Sequence, residues 1–286
     1  MKRELTELAR ININHAMDVV GGWGIIKNKN NLLANAYQLT PIPITVEGSN
    51  ILTRSLIIYG QGLIKSHKYI YNIIESLEQN NIPNFKNNIN DLIKDTIKIY
   101  GKIMVHKLSK LTLTNNLILK SDNLSRQYAL LSYMCLINYG PKLKTKEYIS
   151  GRMADIMSDL YKCYSIHWIK NKLNDKLNDK SKDDFGLLEN YCINNLHNKI
   201  IDNINLILND IKSPVKYLSI GVFSNKKILN SDKSITSISN LFLSDNQIKN
   251  ILTENVFIPT DVNDIRYKLL NWKSDDKLKE EIIKVN

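Results

Sequence analysis

The sequence predicts an all-α helical bundle, and three observations carry that expectation. Chain breakers are scarce: 11 glycines and 6 prolines in 286 residues leave few of the tight turns a sheet needs. Apolar residues recur at helical spacing over long stretches. The composition, 43% hydrophobic and 23% charged, is that of a globular chain able to bury a sizeable core.

Taken in order, residues 2–20 place Leu5, Ala9, Ile13, Ala16 and Val20 on one stripe, and Gly21-Gly22 end that helix. An irregular segment follows through Asn50. Within it Pro41 and Pro43 argue against a helix and bias Thr40 and Ile42 toward extended backbone. Helical spacing resumes at Ile51 and runs to about Leu77. Asn81–Asn84 reads as a turn around Pro83, and a helix is expected from about Asn87 to Leu111, with Ile89, Ile93, Ile97, Tyr100, Met104 and Leu108 on its inner face. Ser121-Asp122-Asn123 offers caps for a helix at 124–139.

Residues 146–170 form the clearest amphipathic pattern, aligning Ile149, Met153, Ile156, Met157, Leu160, Tyr164 and Trp168. The tandem KLNDKLNDKSKDD at 172–184 reads as an exposed polar linker. A last long helix spans 188–211, facing Ile193, Leu196, Ile200, Ile204, Leu208 and Ile211 inward. After Pro214 a loosely structured tail is expected.

Composition also narrows the function classes. The formal charge of +11 raises nucleic acid as a partner, but only six of 39 basic residues are arginine and the lysines are dispersed, which argues against it. Three widely separated cysteines, Cys135, Cys163 and Cys192, fit a reducing cytoplasm better than a disulfide framework. Cys163 and His167 lie four apart on one helix face, yet no second pair completes a metal site, so both read as core and no metal is expected. The start MKRELTEL lacks an apolar leader. The most apolar run, Tyr128–Gly140, is shorter than the roughly 20 residues a membrane span requires, so no transmembrane segment is expected. GGWG lacks dinucleotide-loop spacing, GQG at 60–62 falls inside a predicted helix, and the five histidines are scattered.

One segment stands out chemically. TPIPITVEGSN (Thr40–Asn50) presents a single carboxylate, Glu47, among Ile42, Ile44 and Val46. Apolar neighbours would desolvate that carboxylate and make it a stronger base. Gly48 lets the chain turn, and Ser49 or Asn50 can cap the next helix, leaving Glu47 beside its positive end. The same placement also suits a plain helix-end charge, so the residues alone leave base and structural charge both open.

AMDVVGGWGI (Ala16–Ile25) and YQLTPIPITVEGSNILTRSLIIYGQG (Tyr37–Gly62) together resemble the C-terminal part of acyl-CoA dehydrogenases. The resemblance is to the bacterial fatty-acid β-oxidation type, which carries a long helical extension. Gly21 and Glu47 lie 26 residues apart, close to the family's spacing. The resemblance implies that Glu47 removes the α-proton of a fatty acyl-CoA while a hydride passes from the β-carbon to FAD. It further implies that Ser49 and Asn50 contact the flavin, and that Gly21 and Gly22 lie against the FAD of a neighbouring subunit, hence a homo-oligomer. Val46 and Asp18 depart from residues common in the family, as traits of the bacterial subgroup. Residues 1–80 are expected to be the segment carrying the EG motif and 81–286 the helical extension, with the linker at 172–184. The family's N-terminal helical domain and β-domain precede this region, so the chain resembles one part of a longer enzyme, inactive without those domains. An electron-transfer flavoprotein or similar acceptor would complete turnover. The alternative is a helical interaction module without catalysis.

Overall fold

The structure is a computed structural model and describes residues 1–27, 31–109, 116–212, 214–243 and 247–254, with 256, 257, 260 and 267. Among these residues every regular element is helical. Helix α1 (Lys2–Val20) ends in a 3-10 turn (Gly21–Ile25) and is followed by α2 (Leu32–Leu39) and the short α3 (Pro41–Thr45). One helical turn, α4 (Asn50–Leu52), runs into a nine-residue π-helical stretch (Thr53–Gln61) and then α5 (Gly62–Ser66). The remainder is α6 (Ile70–Glu78), α7 (Ile82–Ser109), α8 (Leu117–Tyr139), α9 (Glu147–Leu173), α10 (Asp179–Asp210), α11 (Asp232–Leu243) and α12 (Gln247–Thr253).

The core lies between α8, α9 and α10. Leu130, Leu131 and Met134 of α8 meet Met153, Ala154, Ile156 and Cys163 of α9 and Ile193, Ile200, Ile204 and Ile207 of α10, all fully or almost fully buried. Such side chains contribute about 1.5–3 kcal/mol each through burial, which is why α9 and α10 form the most extensive helix pair. The π-helical stretch adds Tyr59 to this core. A second, smaller cluster of Leu177, Phe185, Leu241 and Ile248 fastens α11 and α12 to the bundle end.

Several expectations are corrected. Pro41 and Pro43 do not prevent a helix, because both lie in the first turn of α3, where backbone N–H groups have no intrahelical acceptor. Thr40 is accordingly helical (φ −51°, ψ −39°) rather than extended. Pro83 likewise sits in the first turn of α7, where the Asn81 side chain accepts from the Asn84 N–H. Asn116, not Ser121, caps α8, and Ser121 is buried against His197 (2.9 Å). The apolar row expected inside α7 holds only in part: Tyr100 and Met104 pack against the core, whereas Ile93, Ile97 and Leu108 are exposed and Ile103 is the fully buried residue. On α9, Met157 and Trp168 face solvent while Cys163 and His167 take the inner positions; this helix is covered on two sides, so no single stripe describes it. The helix end at Leu111 and most of the chain beyond Thr253 lie outside the described residues. The tail before that point is ordered in part, as α11 and α12.

The polar segment 172–184 is mostly exposed, as expected, but it is ordered rather than a loose linker. It contains the end of α9, a turn, and the start of α10, which Asn178 caps by accepting from the Ser181 N–H at 2.8 Å. Leu177 and Phe185 anchor the turn in the second cluster, and Gln247 closes it by donating to the Lys176 carbonyl at 2.9 Å. A repeat that reads as polar thus hides one buried leucine and one cap. Asn178→Ala is expected to lower stability by about 1 kcal/mol, read as a lower urea midpoint at unchanged slope; an unshifted midpoint would show that the turn adds nothing to folding.

Candidate functional site

Glu47 and Gly48 form the turn between α3 and α4, and both have positive φ, 55° and 86°. For glycine that conformation is free; for a glutamate it costs on the order of 1 kcal/mol and persists only when surroundings impose it. The surroundings are identifiable. Lys2 Nζ donates to the Gly48 carbonyl at 2.9 Å and to Asn50 Oδ1 at 3.2 Å. Asn50 Nδ2 donates to Thr6 Oγ1 at 2.8 Å and Glu7 Oε1 at 2.9 Å. Ser49 Oγ accepts from the Leu52 N–H at 3.3 Å and is the N-cap of α4. The first two turns of α1 therefore clamp the motif.

This places the expected residues individually. Ser49 is a cap, as one of the two expected alternatives, and its hydroxyl proton remains available to a further acceptor. Asn50 is buried and directs its amide into α1, so it positions the turn rather than facing outward. Glu47 is exposed, and Ile42 and Val46 are exposed beside it; within this chain they do not desolvate the carboxylate. Gly21 and Gly22 are exposed, and a Cβ built on either meets no atom within 4 Å, leaving backbone open to a flat ligand. They end α1, whereas the EG turn is bound to its first two turns, about 20–28 Å away along a helix of 19 residues. The chain does not bring the two elements together. Gly24 is the tightly fitted member of GGWG, its hydrogen lying where a Cβ would come within 2.8 Å of Val20 Cγ2.

Beneath the turn lies a cleft of about 690 Å³ between α1, α4, α9 and α10. Its floor is an ion-pair network that sequence reasoning missed. Asp155 accepts from Arg54 Nε and Nη2 at 2.9 and 2.6 Å, and forms an ion pair with Arg3 Nη2 at 3.0 Å. Lys162 bridges Glu4 at 2.9 Å and Asp159 at 2.6 Å. The Asp155 hydrogen bond, against the cost of burial, raises the Arg54 pKa further above its ordinary value. Burial opposes the Glu4 charge, but Lys162 and Arg3 together outweigh it and hold that carboxyl below the usual range. Burial wins at Asp159, whose pKa is raised despite Lys162. Gly151 makes the seat for Arg54: a Cβ there would strike Arg54 Nη1 and lie 2.9 Å from Cζ. Arginine scarcity was the available signal, since three of the six arginines, Arg3, Arg10 and Arg54, line this one cleft.

The Cys163–His167 pair resolves into core. Cys163 is fully buried, with its thiol pushed up to about 12, first by burial. His167 Nδ1 contacts Glu189 Oε1 at 2.9 Å, and Lys170 reaches Glu189 Oε2 at 2.5 Å. Among the described residues no group of three or more His, Cys, Asp or Glu side chains could hold a metal ion, and no helix is long and apolar enough to cross a membrane.

Fold and turn together define an all-helical module carrying a clamped acidic turn at its edge. Residues 64–272 match the family model described as "Acyl-CoA dehydrogenase, C-terminal, bacterial type", and the chain belongs to that family. The match begins after Ser49 and Asn50, so the five motif residues discussed above lie outside it. In three dimensions the chain is similar to an acyl-CoA dehydrogenase from Bacillus anthracis whose crystal structure is complexed with FAD. The TM-score is 0.62 at 14% identity, over 83% of this chain and 38% of that one. This shows a shared fold, and the chain spans well under half the length of that enzyme.

Proposed function

We propose that the chain is the C-terminal part of an FAD-dependent acyl-CoA dehydrogenase acting on fatty acyl-CoA in β-oxidation, with Glu47 as the base that takes the α-proton. The observation that carries this reading is the EG turn itself: a carboxylate held at φ 55° by contacts from a helix more than 40 residues earlier in the chain. Natural sequences place a non-glycine residue in that conformation at a cost, and such costs cluster at functional sites. When bound, FAD supplies the hydride acceptor. Gly21 and Gly22 offer it open backbone, and the Ser49 hydroxyl can donate to it; Asn50 acts indirectly, by fixing the turn.

Because Glu47 is exposed here, a water-excluded site around it has to come from other domains, in the same or another chain. Residues 1–80 would then supply the motif and 81–286 the extension. The separation of the glycine pair from the EG turn supports a homo-oligomer in which each serves a different flavin. Electron delivery to a flavoprotein acceptor and a cytoplasmic location complete the proposal. A second reading, a helical interaction module without catalysis, is favoured by the same exposure of Glu47.

Co-expression of this chain with the N-terminal helical and β-domains of an acyl-CoA dehydrogenase separates the two. The catalytic reading predicts a stable yellow complex that retains flavin through gel filtration. A complex that stays colourless after incubation with FAD would leave the interaction module.

A further inference from the structure

The π-helical stretch and α5 meet α8 and α9 over a cleft of about 290 Å³ that shares no lining residue with the EG turn or the ion-pair cleft. Its walls are largely apolar and aromatic, with Ile58, Leu63, Tyr128, Tyr133 and Met157 among them. Tyr59 and Tyr128 pack edge to face at 6.4 Å, and His67 and Tyr133 at 5.3 Å, so the rings brace one another. Lys68, the charged side chain on the wall, is exposed and lies over the Tyr69 ring, 4.8 Å from its centroid. The interior of the cleft is therefore uncharged.

The group that points to a ligand is Tyr59. Its side chain is 1% exposed, and its hydroxyl has no hydrogen-bond partner. Ser132 stands close enough to ease ionisation of the phenol but outside hydrogen-bond geometry, and its own hydroxyl donates to the Tyr128 carbonyl at 3.1 Å. A buried polar group left unpaired is costly, and few native groups are left so. Tyr59 is also held by π-helical backbone, a rare geometry that recurs at functional sites. His67 supplies a second donor. Its Nδ1 accepts from the Tyr69 and Ile70 N–H groups at 3.2 and 3.3 Å, so the neutral ring carries its proton on Nε2. Burial, against Asp95, holds the His67 pKa below its ordinary value and keeps the ring neutral at pH 7.

We propose that this cleft binds a small neutral ring compound bearing one acceptor oxygen, such as a ketone or an amide. The ring packs against the tyrosine walls, and the oxygen accepts from the Tyr59 hydroxyl, with His67 Nε2–H as a second donor within the cleft. A carboxylate is disfavoured because nothing inside the cleft offsets its charge. Gly62 leaves the space open: a Cβ there would meet no atom nearer than the Ile57 carbonyl oxygen at 3.8 Å. The inference does not depend on the role of Glu47.

Amide NMR titrations of the chain with acetophenone, and with ethylbenzene in which a methylene replaces the carbonyl, test it. Acetophenone is expected to bind with a dissociation constant of about a millimolar or below. Tyr59→Phe should weaken acetophenone by about 3–10-fold and leave ethylbenzene unchanged. Without ligand that variant should unfold at the parent's temperature or above, since the hydroxyl it loses had no partner. Gly62→Leu, at a helical position (φ −60°, ψ −40°), should fill the cleft and abolish binding of both compounds while the chain stays folded. No acetophenone binding, unchanged acetophenone binding or equal weakening of both compounds in Tyr59→Phe, a midpoint lowered by more than about 2 °C in that variant, or binding that survives Gly62→Leu would overturn the proposal.

Discussion

Glu47→Gln is expected to lower acyl-CoA oxidation by about 10²–10⁴-fold in the flavin-loaded assembly, the range typical of removing a general base. Glutamine preserves the size of the side chain and meets the same backbone cost at φ 55°, so the turn itself should survive. Lys2, Asn50 and Ser49 hold the neighbouring atoms rather than the carboxylate, and none of those contacts is lost. Flavin content and thermal midpoint should therefore stay at the unsubstituted values while kcat falls. Activity within a factor of two of the parent would assign the base to another residue. A fall in activity that tracks loss of flavin would make Glu47 structural.

Asp155→Ala is expected to cost about 2–3 kcal/mol of stability, read from urea unfolding. The carboxylate pairs with both Arg3 and Arg54, so its removal breaks two ties at once and leaves two guanidinium groups over a cleft. Its side chain is 20% exposed, which leaves it less screened than a surface pair. Arg54 is seated in the space over Gly151 and cannot easily turn to another partner. A loss below about 0.5 kcal/mol would mean that water replaces the carboxylate without penalty and that α1 is held mainly by Lys162, Asn50 and Lys2.

The long central helices were legible because periodicity reports burial where one face is covered. Ile193, Ile200 and Ile204 of α10 lie at the positions their spacing gives and are fully buried. The same rule failed where coverage is uneven. Ile93, Ile97 and Leu108 of α7 have the spacing of a core face and lie exposed, because helical spacing identifies a common face but not which neighbour meets it. Proline misled at α3 and α7 for one reason: its cost depends on its position within a helix, and the first turn tolerates it. The EG turn was visible as a motif, but the residues that shape it were not. Lys2 and Asn50 are 48 positions apart, and Arg54 and Asp155 are 101 apart. No local pattern encodes such pairings, which exist only once α1 has crossed the bundle.

That crossing has a consequence for how the motif can be moved. The left-handed backbone at Glu47 is dictated from outside its own segment, by an ammonium and an amide pocket at the chain's beginning. A peptide copied from residues 40–66, or a graft of VEGSN onto another helix pair, would carry the letters of the motif without the geometry. The transferable unit is the turn together with the opening helix, because Lys2, Thr6 and Glu7 supply the contacts to Gly48 and Asn50 that hold the turn's backbone.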